Sequence, residues 1–281
     1  VTARRACVIG HPVQQARSPI LHRYWLKEYG IDGDYTREDV PPERIAEFLA
    51  NLGDHGYVGA NITVPHKAAA YLALDHAEPV ATAMKVANTL WVESDGLHGT
   101  NTDVHGFLAN LDETVPDWNI HPEQAVVLGA GGGARAVVYG LLQRGMPRVI
   151  IVNRTLARAE AFVAEFGKRV TGATFDELPA WLKDADILVN TTSLGMAGQP
   201  PLQVDLSSMQ KGATVCDIVY VPLETALLGQ ARARGLRTVD GLGMLLQQAV
   251  PAFERFFGVK PEVTKGLRDA VLADIAKAQA K

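Results

Sequence analysis

Apolar residues in this chain come in short runs of four to six, separated by turn residues and by longer stretches with helical spacing. Ala6 to Ile9, Ala125 to Leu128 and Val149 to Val152 are uninterrupted apolar runs, the signature of strands buried on both faces. In the first hundred residues the pattern predicts strands at 6–9, 35–40 and 57–62. Helices are predicted between them at 18–29, opened by Ser18 as N-cap with Pro19 behind it, and at 41–52, opened by Pro41-Pro42. Two short strands between Ala87 and Gly99 flank a turn at Ser94-Asp95-Gly96, and a helix capped by Asp103 follows to about Leu111. Further strands are predicted near 125, 149, 171, 187, 215 and 237–239. Two amphipathic helices, about 244–257 and 263–278, close the chain.

The run at 125–128 enters G-A-G-G-G-A, with Gly129, Gly131 and Ala134 at G-x-G-x-x-A spacing, and a helix from about Gly133 to Gln143. Gly129 permits the tight turn, Gly131 lets backbone approach a pyrophosphate, and Ala134 keeps the helix close to the strand. The helix N-terminus turns free N–H groups and a positive dipole end towards phosphates. In this strand–turn–helix context the motif predicts a dinucleotide site. The next strand ends in Asn153-Arg154-Thr155, with Arg158 beyond. An NAD site would place an acid there to bond the ribose 2′-hydroxyl, but none is present. Two guanidiniums and a hydroxyl suit a 2′-phosphate instead, so NADP is the expected cofactor.

Because this motif starts only at residue 129, a substrate-facing domain is expected ahead of it. The expected architecture is α/β in two domains. An α/β substrate domain (1–102) precedes a doubly wound parallel-sheet, Rossmann-type NADP domain (103–239), and C-terminal helices (240–281) return to the first domain. The 281 residues accommodate two cores, and 47% hydrophobic with 21% charged residues is ordinary for a soluble α/β enzyme. A net charge of −4 and no basic run argue against nucleic-acid or anionic-membrane partners. Cys7 and Cys216 each sit in an apolar run outside any ligand cluster and read as core residues in a reducing compartment. The eight histidines show no metal-binding spacing, so no metal is expected. With no signal-peptide region and no membrane span in the sequence, a cytoplasmic protein is expected.

Lys67 is the candidate for chemistry in the first half. It emerges in the first turn of a helix after Asn61-Ile-Thr-Val-Pro65, where a helix dipole disfavours a cation and pulls a lysine pKa down. Such a lysine can move protons near neutral pH. Its company is polar: Asn61 and Thr63 before it, then Asn88-Thr89 and Asn101-Thr102-Asp103 after the following strands, as a hydroxylated, anionic ligand needs. Asp103 suits a helix N-cap and a catalytic role equally.

These landmarks together resemble the shikimate dehydrogenase family over essentially the whole chain. They are A-R-S-P (16–19), A-N-I-T-V-P-H-K (60–67), V-A-N-T (86–89), N-T-D (101–103), G-A-G-G-G-A (129–134), N-R-T-x-x-R (153–158), N-T-T-S-L-G-M (190–196), D-I-V-Y (217–220) and D-G-L-G-M-L-x-x-Q (240–248). The resemblance implies NADPH-dependent reduction of 3-dehydroshikimate to shikimate, in the pathway to aromatic amino acids, by a monomer or homodimer. It implies Lys67 and Asp103 as the catalytic pair, with Ser18, Thr63, Asn88, Tyr220 and Gln248 holding the substrate. It implies Gly129, Gly131, Gly132, Ala134, Asn153, Arg154, Thr155, Arg158, Thr191, Gly243 and Met244 on the cofactor. One position departs: the family's S-x-S-P loop has Ala16 as its first residue here, with Gln14 and Gln15 as neighbouring polar substitutes. Alternatives of the same build are a quinate or amino-shikimate dehydrogenase, a methylene-tetrahydrofolate dehydrogenase, and a nicotinamide-binding module without catalysis.

Overall fold

The computed structural model describes residues 3–279. The chain forms two compact units, one of residues up to Thr102 together with those from Gln248 onward, the other Asp103–Gln247.

In chain order the first unit contains β1 (Arg4–Gly10), α1 (Ser18–Glu28), β2 (Gly33–Asp39), α2 (Ile45–Ala50), β3 (Gly59–Ile62) and α3 (Lys67–Leu72). It continues with β4 (His76–Ala77), α4 (Pro79–Met84), β5 (Thr89–Glu93) and β6 (Gly96–Thr100). Its sheet is ordered β2-β1-β3-β5-β6-β4. β1, β2 and β3 are parallel, whereas β5 runs antiparallel to both β3 and β6, so this sheet is mixed. The two short strands expected around Ser94-Asp95-Gly96 are this β5–β6 hairpin, and the left-handed turn residue is Gly96, at φ 134°.

Alternation along the strands sends two different sets of side chains to the two faces. Cys7, Ile9, Ala60, Ile62 and Leu90 share an apolar cluster with Ile45, Leu49 and Ala70 from α2 and α3. On the opposite face, register aligns Tyr35 with Ala6 and Asn61 with Val8. There His22 and Trp25 of α1 pack against Phe253, Phe256 and Phe257. Trp25, Tyr35, Phe253 and Phe256 are among the largest fully buried side chains, each contributing about 1.5–3 kcal/mol of apolar transfer. Helix α1 begins at Ser18 itself, with Arg17 at the N-cap and making no side-chain cap bond. Ser18 is therefore not the expected cap.

The second unit contains α5 (Asp103–Thr114), β7 (Gln124–Leu128), α6 (Gly132–Gln143), β8 (Arg148–Val152), α7 (Leu156–Phe166) and β9 (Val170–Ala173). α8 (Leu178–Trp181), β10 (Ile187–Asn190), β11 (Thr214–Asp217), α9 (Ala226–Ala233) and β12 (Arg237–Val239) follow. All its strands are parallel, ordered β12-β11-β10-β7-β8-β9, the doubly wound arrangement expected from the sequence. The order reverses between β7 and β10, which makes the ends of those two strands the switch point where such sheets bind ligands.

Helix α10 (Gly241–Phe257) starts in the second unit and continues into the first, and α11 (Lys265–Gln279) belongs to the first. At its start α10 lies against α5: a Cβ on Gly243 would fall 1.8 Å from Asn110 Oδ1, and Asn110 Nδ2 donates to the Asp240 carbonyl at 2.8 Å. No helix among the described residues is long and apolar enough to cross a membrane.

Candidate active site

On the α1 face of the first sheet, polar residues at the strand ends are joined into one buried track. Tyr35 Oη donates to Asn61 Oδ1 at 2.6 Å, and Asn61 Nδ2 donates to Thr89 Oγ1 at 3.0 Å and to the Asn88 carbonyl at 3.2 Å. Thr89 Oγ1 lies 3.2 Å from Thr102 Oγ1. The Asn88 Oδ1 accepts from the Thr102 N–H at 2.7 Å, from Thr102 Oγ1 at 3.2 Å and from Thr89 Oγ1 at 3.1 Å. These bonds fix the rotation of the Asn88 amide, with its oxygen towards Thr102 and its donor nitrogen on the other side. Thr102 Oγ1 also reaches Gln248 Oε1 at 3.4 Å. Asn61, Asn88, Thr89 and Thr102 are all at most 5% exposed. Burying four such side chains is tolerable only because each finds partners.

Lys67 heads α3 and is half-buried, and its carbonyl accepts from the Ala87 N–H at 3.0 Å, tying α3 to the segment that carries Asn88. His66, buried beside it, bonds the Val40 carbonyl through Nε2 at 2.6 Å. Asp103, also buried, is the first residue of α5 and follows Thr102 directly in the chain. Thr63 is half-buried after β3, and its methyl would collide with any Cβ at Gly10, 2.5 Å away. Glycine at position 10 is what lets that loop close down.

The loop before α1 is held from outside the track. Arg37 donates from Nε and Nη2 to the Ala16 carbonyl at 3.0 and 2.7 Å, and Arg17 pairs with Asp274. Gln14, expected as a substitute for the missing serine, donates from its amide Nε2 to Asp39 at 2.6 Å, where His11 also bonds. Gln15 is exposed.

In the second unit the glycine turn sits at the switch point. Gly129 has φ 100°, and a Cβ there would meet Thr191 Oγ1 and Thr192 Cγ2 at 2.9 Å each, so only glycine fits. Thr191 Oγ1 donates to the Leu128 carbonyl at 2.6 Å, joining the ends of β7 and β10. The turn after β10 is set by Asn190, whose Oδ1 accepts from the N–H and hydroxyl of Thr192 and whose Nδ2 donates to Asp217 Oδ1 at 2.9 Å. Asp217 is buried, which pushes its pKa up, against the opposing bonds from Thr225, Val219 N–H and Asn190. Tyr220, three residues on, is half-buried.

The groups of this turn fit a dinucleotide pyrophosphate. A Cβ on Gly131 or Gly132 would meet nothing within 4 Å, so these glycines face open space rather than protein. Gly131 at the N-cap of α6 brings no capping side chain, which leaves the first-turn N–H groups to a ligand. Ala134 is fully buried, close-packed as the motif requires. After β8, Asn153 Nδ2 donates to the Thr155 carbonyl at 2.9 Å, and Thr155 caps α7 by position without a side-chain cap bond. Arg154, Thr155 and Arg158 are exposed. Neither guanidinium has an ion-pair partner among the described residues. Met244 is half-buried in the first turn of α10.

Sequence reasoning picked out the strand-end polar residues but missed Tyr35 and the Asn190–Asp217–Thr225 network. Tyr35 sits in an alternating strand with nothing local to mark it. Register alone turns it towards Asn61.

A buried polar track on the first sheet, followed by a doubly wound sheet with an open glycine turn, defines a dinucleotide-dependent oxidoreductase of two α/β units. Residues 8–90 match the shikimate dehydrogenase substrate binding domain, 111–219 the shikimate / quinate 5-dehydrogenase family, and 241–272 the shikimate 5′-dehydrogenase C-terminal domain. The chain is 58% identical to a shikimate dehydrogenase (NADP(+)) of Azorhizobium caulinodans, over 97% of each chain. Among solved structures it resembles the Thermus thermophilus shikimate 5-dehydrogenase in complex with NADP(H) and shikimate, with a TM-score of 0.84 and 33% identity over 96% of this chain and 99% of that one. It also resembles a quinate dehydrogenase from Corynebacterium glutamicum in complex with NAD, with a TM-score of 0.88 and 31% identity over 96% and 99%. The chain belongs to the shikimate dehydrogenase family.

Proposed function

We propose that this chain catalyses the NADP-dependent interconversion of 3-dehydroshikimate and shikimate, with Lys67 and Asp103 as the catalytic pair. The observation that supports this is the buried track from Tyr35 to Thr102, whose Asn88 follows the Ala87 that bonds the Lys67 carbonyl, in a family whose relatives are NADP-dependent shikimate dehydrogenases. Ser18, Thr63, Asn88, Tyr220 and Gln248 hold the carboxylate and ring hydroxyls. Arg154, Arg158, Thr155 and Asn153 take the 2′-phosphate; Gly129, Gly131, Gly132, Ala134 and Thr191 shape the pyrophosphate turn; Gly243 and Met244 lie by the nicotinamide.

When bound, NADPH supplies the hydride that reduces the substrate ketone. The carbonyl oxygen that becomes a hydroxyl needs one proton, and the Lys67 ammonium gives it. In the reverse direction the neutral Lys67 amine takes that proton as the alcohol is oxidised. Asp103 orients the ammonium and a ring hydroxyl for that transfer. Asn88, held in one rotation by Thr89 and Thr102, has its amide oriented towards a ring hydroxyl. A small set of oriented donors is enough, because the chemistry is the cofactor's and the protein contributes position and protonation state.

Ala16 favours a second reading, a related hydroxy acid such as quinate in place of shikimate. A loop with one hydroxyl fewer holds a carboxylate differently. The test is Lys67→Ala, assayed for shikimate oxidation with NADP+ and for NADP binding. Turnover should fall roughly 10²–10⁴-fold, the range for a general acid or base, with NADP affinity unchanged. A loss below about tenfold in a folded variant removes Lys67 from the mechanism.

A further inference from the structure

We propose that His76, Asp95 and His98 form a binding site for a divalent transition-metal ion of the zinc class, at the edge of the first sheet and apart from the residues assigned to the reaction. The three come from two segments that only the strand pairing brings together. β4 pairs in parallel with β6, and the register sets His76 directly opposite His98, so both imidazoles leave the same face of the sheet. The rings stack with centroids 4.5 Å apart and planes 30° from parallel. Both therefore turn the same edge outward, and both Nε2 atoms reach one carboxylate: His98 Nε2 is 2.8 Å from Asp95 Oδ1, and His76 Nε2 is 3.4 Å from Asp95 Oδ2. The three donor atoms lie within 4.8 Å of one another.

That spacing suits a small ion. A tetrahedral zinc with bonds near 2.0–2.1 Å needs its donors about 3.3 Å apart, so side-chain rotation alone completes the convergence. His76 and Asp95 have the freedom for it, being 50% and 59% exposed, while His98, at 19%, is the fixed member. The backbone beneath is already pinned. Asp75 Oδ2 accepts from the Leu97 N–H at 2.8 Å and the Asp75 N–H donates to the Leu97 carbonyl at 2.9 Å, which clasps the hairpin tip to the start of β4.

Two imidazole nitrogens and one carboxylate oxygen select zinc, nickel or copper over magnesium or calcium, and they leave a position for water. The charges nearby are consistent with a cation. Glu93 accepts from the Trp91 indole beside His98, while Arg255, stacked over that indole, is held by Glu78. The ion would bridge a two-residue edge strand to the hairpin, four residues upstream of Thr102. That is about 13 Å along the strand, close enough to brace the segment and too far to touch the reacting atoms.

Asp95, bonded at its carboxylate by His98 and at its backbone carbonyl by His76, would give the same geometry without an ion, so the test is binding itself. Untagged protein stripped with a chelator is titrated with Zn2+ by calorimetry. One equivalent should bind, and His76→Ala, whose side chain is half-exposed and dispensable to the core, should weaken it at least about tenfold. Asp95→Asn should weaken it too, whereas His11→Ala, at the other exposed histidine–aspartate pair, should leave it unchanged. Cu2+ should quench tryptophan emission through Trp91, 5.6 Å from the His98 ring, and Trp91→Phe should remove that quench while keeping Zn2+ binding. NADP-linked turnover of His76→Ala should match the parent. Absence of Zn2+ binding, or binding unaltered by His76→Ala, overturns the proposal.

Discussion

Replacing His22 by phenylalanine tests how the first core is built, because the structure gives that imidazole a cost that depends on pH. His22 is fully buried, stacked on Tyr35 at 4.0 Å and ringed by Trp25, Phe253 and Phe256. Neither ring nitrogen has a hydrogen-bond partner. Burial alone pushes its pKa down from 6.5 to about 3. In the unfolded chain the imidazole is hydrated and takes its proton near pH 6.5, while in the folded chain it stays neutral far below that. The folded pKa is the lower one, so the unfolded state binds more protons across this window. The contribution to stability is complete above pH 6.5 and is lost as pH falls towards 3. The limiting slope is about 1.4 kcal/mol per pH unit, so roughly 2 kcal/mol should disappear between about pH 6.5 and pH 4.5. His22→Phe keeps a flat ring against Tyr35 and removes the titration. Near neutral pH, relief of an unpaired N–H (about 1–3 kcal/mol) is offset by the added bulk in a packed core (a similar amount), so the slope is the readout. Urea melts of both proteins across this range should give a stability difference that moves towards the variant as pH falls. Other carboxylates titrate alike in both proteins and cancel. Parallel curves would refute the assignment of a neutral, unpartnered imidazole.

Two further substitutions probe the ligand sites. Arg154→Ala or Arg158→Ala should weaken NADP by about 1.5–3 kcal/mol, the scale of a charge-assisted hydrogen bond, and leave NAD nearly unchanged in titration calorimetry; equal losses would make these arginines structural. Ala16→Ser should lower the KM for shikimate several-fold with little change in kcat, since a carboxylate contact is common to ground and transition states. Gln14 is committed to Asp39 and Arg37 already fixes the Ala16 carbonyl, so the new hydroxyl enters a loop with a set backbone and no competing amide. No change for any acid would place the carboxylate away from residue 16.

How far the sequence could be followed depended on how local the cause was. The second unit was legible where its strands are buried apolar runs, as at 125–128 and 149–152, and where a glycine marks the turn, as at Leu128–Gly129. The hairpin of β5 and β6 was legible for the same reason, through Ser94-Asp95-Gly96. By contrast β4 is two exposed residues, with neither alternation nor turn chemistry to announce it, and it exists because His98 and Gly99 offer it a partner. Lys67, Asn61, Asn88 and Thr102 stood out as polar residues ending apolar runs. The bonds between them could not be read, since they cross from β3 to β5 to the end of β6 and depend on an antiparallel register. Ser18 looked like a helix cap from its neighbours, yet α1 begins at Ser18 itself and Arg17 holds the cap position.

The most direct test is the initial rate of nicotinamide reduction by the purified protein with four substrate pairs: shikimate or quinate, each with NADP+ or NAD+. The highest kcat/KM is expected for shikimate with NADP+, with quinate and NAD+ each poorer by an order of magnitude or more. A kcat/KM for quinate equal to or above that for shikimate, or turnover indifferent to the 2′-phosphate, would contradict it.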